Sequence, residues 1–481
     1  MIQSQCFPRL HKTREAKRMA EEKTKIVSQT ITDFALNLRY EDIPHEYIEY
    51  GKMLMMDTFG VAMSCAGLPH ARAVRETIGE LNSRQDCTLW GTSERAGLAD
   101  AVLYNSCLIH GADYDDTHVA AILHPSAAVI AAAVTVGEYA GASGREIMTA
   151  IIAGWEISVR LGLAAKGGFH DVGYHGTGII APFAAACVAG RLLCVSEETL
   201  VNALGICGSQ AAALQEFLHD GSWTKKIHPG WGCHSAVYAL KMAQHGFVGP
   251  KEVFEGGFGL WQTHLGTTEG LKEEMSNLGS KWHTPEIAFK MYPVCHMTHS
   301  FIDCLQEVLR DNRLTADDIE HIECRIESRC YHIVCSPEEA KKHPQTDYMM
   351  RFSLPYVVAI AAIKGRVSPW EIDLKYAQDP QVLDLMSRVI CIDDDEKRHP
   401  GYFPGWIRLT TKDGCSFVCD HRYELGTKQN PIRLENVIEK FHNNTDAFYT
   451  EAEITRMTDA IKRFDTLETA DELIAALKIK K

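Results

Sequence analysis

From about Thr30 to about Gly279 one helical pattern follows another, and many inward positions are small: Ala131, Ala132 and Ala133 in one stretch, Ala184, Ala185, Ala186, Ala189 and Gly190 in another. Small side chains let helix axes approach closely, whereas an elongated coiled coil needs larger knobs along a sustained seam. Sustained heptads are absent, so the segment predicts a compact bundle of several helices. Ser143 and Glu146 stand at capping-box spacing, and Ile147, Ile151, Ile152, Trp155 and Val159 then recur at helical intervals. Glu156 and Arg160 read as an exposed i,i+4 pair on that helix.

After about Lys281 the period changes. Ile322, Cys324 and Ile326 alternate with polar residues, Val389 to Ile392 is a short apolar run, and two β-like runs flank Lys412-Asp413-Gly414. These predict a small sheet ending in a hairpin. Helical spacing returns with Val437, Phe441, Ile461 and Leu473. The expected organisation is an N-terminal extension (1–28), a helical domain (29–284), an inserted smaller α+β domain (285–428) and a C-terminal part of the helical domain (429–481), mainly α overall. The extension carries Arg9, Lys12, Arg14, Lys17 and Arg18 together with Glu15, Glu21 and Glu22, without an apolar core, and reads as a solvated helix or arm rather than a targeting signal.

A formal charge of −14 argues against nucleic-acid and anionic-membrane partners, so an anionic substrate needs a local basic pocket. The 16 cysteines include no C-x-x-C pair, which points to free buried thiols rather than a zinc ribbon or a cluster. No run of 18 apolar residues is present, and no membrane span is expected.

The densest polar stretch is His110-Gly-Ala-Asp113-Tyr-Asp115-Asp116-Thr117-His118, followed by His124. Carboxylates and imidazoles partly removed from water push each other's pKa values and suit proton transfer. Two other readings stand beside this one: Asp115, Asp116 and Thr117 as caps of the helix starting near Pro125, or a divalent-metal site built on the Asp-Asp pair. The metal reading lacks its third aspartate, because Val119 and Ala120 occupy the expected positions. His175, between glycines, is placed to be presented at a helix N-terminus. Lys225 and Lys226 beside Trp223 and His228 offer a carboxylate clamp or an exposed basic turn. Lys290, His296 and His299 fall at the domain junction, where clefts favour ligands. Tyr331 is expected at the end of the first strand of the inserted domain, within reach of the same cleft.

The stretches HGADYDDTH, HPSAAV, GYHGTG, TKKIHPG, GFVGPKEVFEGGFG, FKMYPVCHMTH and FSLPYVVA, in this order and spacing, resemble those of the MmgE/PrpD family. The resemblance implies a large all-helical domain built from both ends of the chain, an inserted α+β lid, and a homodimer. It implies catalytic Asp113, Thr117, His124, His175, Lys225 and His296, with Lys290, His228 and Tyr331 binding substrate. Trp231 stands where the family's decarboxylases carry a smaller residue, and Cys295 alters the spacing from Lys290 to His296, differences that bear on the substrate.

The expected function is a cofactor-independent, cytoplasmic lyase that uses no metal and acts on a small polycarboxylate, with 2-methylcitrate dehydration first. Decarboxylation of cis-aconitate to itaconate and epimerisation of iminodisuccinate are its alternatives. A metal-dependent prenyl-transfer enzyme and a non-catalytic helical binding protein are rivals from other classes.

Overall fold

Ser143 caps a helix as its spacing predicts: its Oγ accepts from the Glu146 N–H, and the Glu146 carboxylate accepts from Ser143 N at 2.8 Å. In this computed structural model, which describes residues 25–397, 399 and 401–478, that helix is the centre of a bundle. The principal helices in chain order are α1 (His45–Cys65), α2 (Leu98–His110), α3 (Ser126–Ala140), α4 (Gly144–Ala165), α5 (Gly176–Leu192) and α6 (Thr224–Gln244). The basic arm read at 1–24 lies outside the described residues.

The small residues act as expected. A Cβ on Gly154 of α4 would come within 2.5 Å of Val188 on α5, and one on Gly232 of α6 within 2.8 Å of Ala181 on α5. Helix axes that close exclude a larger side chain at either position. Ala131 to Ala133 and Ala184 to Ala186 are buried in the same core. Helix α4 is long and apolar enough to cross a membrane, yet 94% of its most apolar window is buried inside the protein.

Among the described residues, two apolar cores form. The first gathers residues from Val27 to Phe289 together with Val437 to Leu477, so the final helices return to the opening ones. The second gathers Phe217 and residues from Val294 to Cys419. It contains α7 (His299–Asn312), α8 (Leu354–Lys364) and the larger sheet, and α9 (Leu434–Thr445) then lies back against α1.

Strands β1 (Cys87–Thr88) with β2 (Arg95–Ala96), and β3 (Thr117–His118) with β4 (Ile287–Ala288), form two antiparallel ribbons. The sheet of β5 (Ile319–Ile326), β6 (Val389–Asp393), β7 (Gly405–Thr411) and β8 (Ser416–His421) has the order β6-β5-β7-β8, with only the β5–β6 pair parallel. Gly414, with φ 87°, turns the expected β7–β8 hairpin. Helix makes up 60% of the structure and strand 9%, so the fold is mainly α.

One expectation fails. Glu156 and Arg160 are fully buried, not exposed. The spacing i,i+4 fixes which residues are neighbours but says nothing of the face they occupy. Glu156 accepts from the backbone N–H groups of His283 and Thr284 and from the Thr284 hydroxyl, while Arg160 donates to the carbonyls of Glu274 and Lys281. Together they hold the segment leading into β4. Glu156→Ala leaves those donors and the guanidinium short of a partner in a dry site. It should cost about 3–5 kcal/mol in chemical denaturation, and a loss under about 1 kcal/mol would contradict this account.

Candidate active site

Asp113, in the left-handed region at φ 50°, is buried between two lysines from distant segments. Lys225 Nζ on the first turn of α6 lies 2.5 Å from its Oδ1, and Lys290 Nζ lies 3.3 Å from its Oδ2 while donating to the Asp113 carbonyl at 2.8 Å. Burial opposes ionisation of Asp113, but the two ammonium groups outweigh it and hold the carboxyl well below the usual range. One carboxylate between two ammonium groups leaves net positive charge facing a narrow cavity. Asp113, Thr117, His124, His175, Lys225, Lys290 and His296 all line it. Its free space of about 60 Å³ holds a handful of waters at roughly 10–15 Å³ each.

Imidazoles surround the lysines. His124 Nδ1 lies 2.8 Å from the Asp116 carbonyl and 3.1 Å from Thr117 Oγ1. A carbonyl can only accept, so the proton sits on Nδ1 and Nε2 keeps its lone pair. His175 is the N-cap of α5, and its Nδ1 stands 3.2 Å from His228 Nδ1. His228 therefore supports His175 from behind and does not itself line the cavity. His296 is buried with neither ring nitrogen hydrogen-bonded. Burial first, then Lys290, depresses His296 to about 3; burial and Lys290 likewise push His124 well down, and burial and Lys225 do the same to His175.

Beneath these rings lies a pair that the sequence marked only as part of a dense stretch. His110 Nδ1 donates to Asp115 Oδ2 at 2.7 Å, both fully buried, and the His110 ring stacks on His175 at 5.5 Å and lies 5.2 Å from His124. Burial raises the Asp115 carboxyl, but His110 and His124 override it and bring it to about 2. The cavity also takes His170, Gln215 and Phe217, for which the sequence carried no signal beyond polar or aromatic character.

Asp113, which the resemblance implies to be catalytic, is engaged by the two lysines, contacts across more than 100 residues that local spacing does not reveal. Asp116 follows the capping reading: its carboxylate accepts from the backbone N–H and the hydroxyl of Ser126, the first residue of α3. Tyr331 sits on the short helix Ser328–Val334, past the strand, and Ile333 rather than Tyr331 reaches the cavity. His299 packs on His296 and points to the Val294 carbonyl. Lys226 is buried against Asp347 at 2.8 Å. Trp231 is 56% exposed on the outer face of α6, stacked on His234, and takes no part in the pocket. A larger groove by Phe34, Lys272 and Trp282 has no imidazole in its lining.

Two cations fasten the site's backbone. Arg351 Nη1 donates to the carbonyls of Ala112 (2.6 Å) and Pro293 (2.5 Å), joining the loop before Asp113 to the segment after Lys290. Lys440 of α9 donates to the carbonyls of Tyr114 and Lys290 and pairs with Asp57 of α1 at 2.6 Å.

Residues 29–270 match the MmgE/PrpD N-terminal domain, and residues 292–465 match the MmgE/PrpD C-terminal domain. The chain belongs to the MmgE/PrpD family. Among relatives, the cis-aconitate decarboxylase of Aspergillus terreus is 25% identical over 94% of this chain and 96% of its own. The human cis-aconitate decarboxylase is 23% identical over 94% and 95%. The 2-methylcitrate dehydratase of Escherichia coli K12 is 21% identical over 84% of each chain. These MmgE/PrpD relatives carry the names of lyases.

The depressed histidines make stability depend on pH. His170, His228 and His296 lie near 3 when folded against an ordinary 6.5, each with burial as the leading cause. Between those values the unfolded chain binds protons that the folded chain does not, so stability present above pH 6.5 is lost as pH falls through this window. Thermal denaturation should show Tm falling from neutral pH downward through that interval, with shallower falls for His170→Asn and His296→Asn. Slopes unchanged in both variants would count against neutral buried imidazoles.

Proposed function

We propose that this chain is a lyase acting, without a metal or organic cofactor, on a small polycarboxylate. The observation that carries the reading is the donor set of Lys225, Lys290 and His296. Two ammonium groups share one carboxylate, and a buried imidazole has both nitrogens unpartnered, all facing one cavity. Such a set is complementary to carboxylates on which charge accumulates as a carbanion forms beside them. His124 Nε2, with Nδ1 held by Asp116, supplies the general base, and His175 with His228 the second proton carrier.

Among lyase reactions, decarboxylation of a cis-aconitate-like substrate stands ahead of dehydration of a 2-methylcitrate-like one, reversing the order expected from the sequence. What supports this order is the broader and higher similarity to relatives named cis-aconitate decarboxylase. In the proposed step the carbon–carbon bond to one carboxylate breaks and carbon dioxide leaves. The electron pair moves toward the carboxylate held by Lys225 and Lys290, and a protonated histidine delivers the proton to carbon. A polyanion in the cavity raises the neighbouring imidazole pKa values, so substrate binding itself loads that proton.

The wall formed by Cys295, Met297, Ile333, Phe352 and Phe403 belongs to the second core, which in this reading is an inserted lid that parts from the helical domain to admit substrate. We also propose a cytoplasmic homodimer.

Incubation with cis-aconitate, 2-methylcitrate and iminodisuccinate, followed by proton NMR in deuterated water, tests the reading. Itaconate carrying solvent deuterium is expected, whereas no turnover of any polycarboxylate would sink it. Lys225→Ala and His124→Ala should each lower kcat/KM by about 10² or more, and near-normal rates in both would overturn the assigned roles.

A further inference from the structure

Away from the cavity, α7 and β8 bring together side chains that the proposed reaction does not use. Cys304 and Glu307 lie one turn apart on α7, and Cys419 and His421 alternate on the inward face of β8. Ligand atoms of Cys304, Cys419 and His421 stand within 4.8 Å of one another. The Glu307 carboxylate joins them, with Oε2 2.8 Å from His421 Nε2 and Oε1 3.7 Å from Cys419 Sγ.

The surroundings favour a cation. Asp303, beside Glu307 and His421, has one carboxylate oxygen without a partner, and so does the fully buried Glu424 nearby. Among the described residues, no lysine or arginine pairs with Asp303, Glu307 or Glu424. In the other grouping of imidazoles and a carboxylate, His118, His283 and Glu286, Lys428 already reaches Glu286 at 3.4 Å and answers its charge.

We propose that Cys304, Glu307, Cys419 and His421 hold a structural zinc ion that clasps α7 to the edge strand β8. Two sulfurs, one imidazole nitrogen and one carboxylate oxygen make a closed tetrahedral set of the kind zinc selects. Both thiols lose their protons to solvent on binding, and the imidazole binds as the neutral base. The clasp ties the edge strand β8 to the helix packed on the face of the sheet.

The full-length protein, purified without chelator, is assayed for metal by plasma mass spectrometry, then stripped and titrated with cobalt(II). About one zinc per chain is expected, and the cobalt form should show tetrahedral visible bands with a thiolate charge-transfer band in the near ultraviolet. Cys304→Ser/Cys419→Ser should abolish the charge-transfer band and His421→Ala should weaken cobalt binding, with folding checked by circular dichroism. Should the variants not fold, the wild-type zinc content and cobalt spectrum decide alone. Wild-type protein that carries no zinc and gives only an octahedral cobalt spectrum, or a Cys304–Cys419 disulfide in a non-reduced peptide map, overturns the proposal.

Discussion

A carboxylate without solvent is an expensive thing to fold, and Asp113 is fully buried. It is tolerable only because Lys225 and Lys290 flank it, and each ammonium is tolerable only because Asp113 is there. Removing one member leaves uncompensated charge in a dry place. The three residues come from three separate segments, so this mutual dependence fixes how the first turn of α6, the loop after α2 and the segment after β4 meet. The imidazoles then find their positions around a fixed charge centre.

The backbone around that centre is held in the same manner, by cations bonded to carbonyls. Arg351 reaches in from the second core and Lys440 from α9. Neither lines the cavity, yet each bonds two strands of its wall at once. The ribbon of β3 with β4 adds a third tie, pairing Thr117 with Ala288 only two residues before Lys290. Under this frame Trp155 donates to Ser126 Oγ, which donates to Asp116, whose carbonyl sets the tautomer of His124. An indole in the centre of α4 is thereby connected to the orientation of a candidate base.

Much of the fold was legible because its signals are local. The Ser143 box, the alternation of Ile322, Cys324 and Ile326, and the hairpin at Gly414 each depend on residues close in sequence. The candidate site was legible as a set of residues but not as a set of contacts. Asp113 reads the same in sequence whether it orients a histidine or neutralises lysines, and only distant Lys225 and Lys290 distinguish these. His110 and Asp115 stood out only as members of a dense polar stretch, and their pairing beneath two other rings depends on how α5 packs. Glu156 and Arg160 show the same limit, since burial comes from the segment of His283 and Thr284. Cys304 and Cys419 lie too far apart in sequence for a spacing rule to join them.

The bonds from Lys440 also bear on how the molecule is made. Asp57 is buried on α1, near the start of the chain, and its ammonium partner emerges from the ribosome some 380 residues later. Until then the bundle has an uncompensated carboxylate at its centre, and the Lys290 carbonyl lacks the donor that fixes it. The nascent helices can assemble, but the candidate pocket acquires its final shape only when α9 closes over α1.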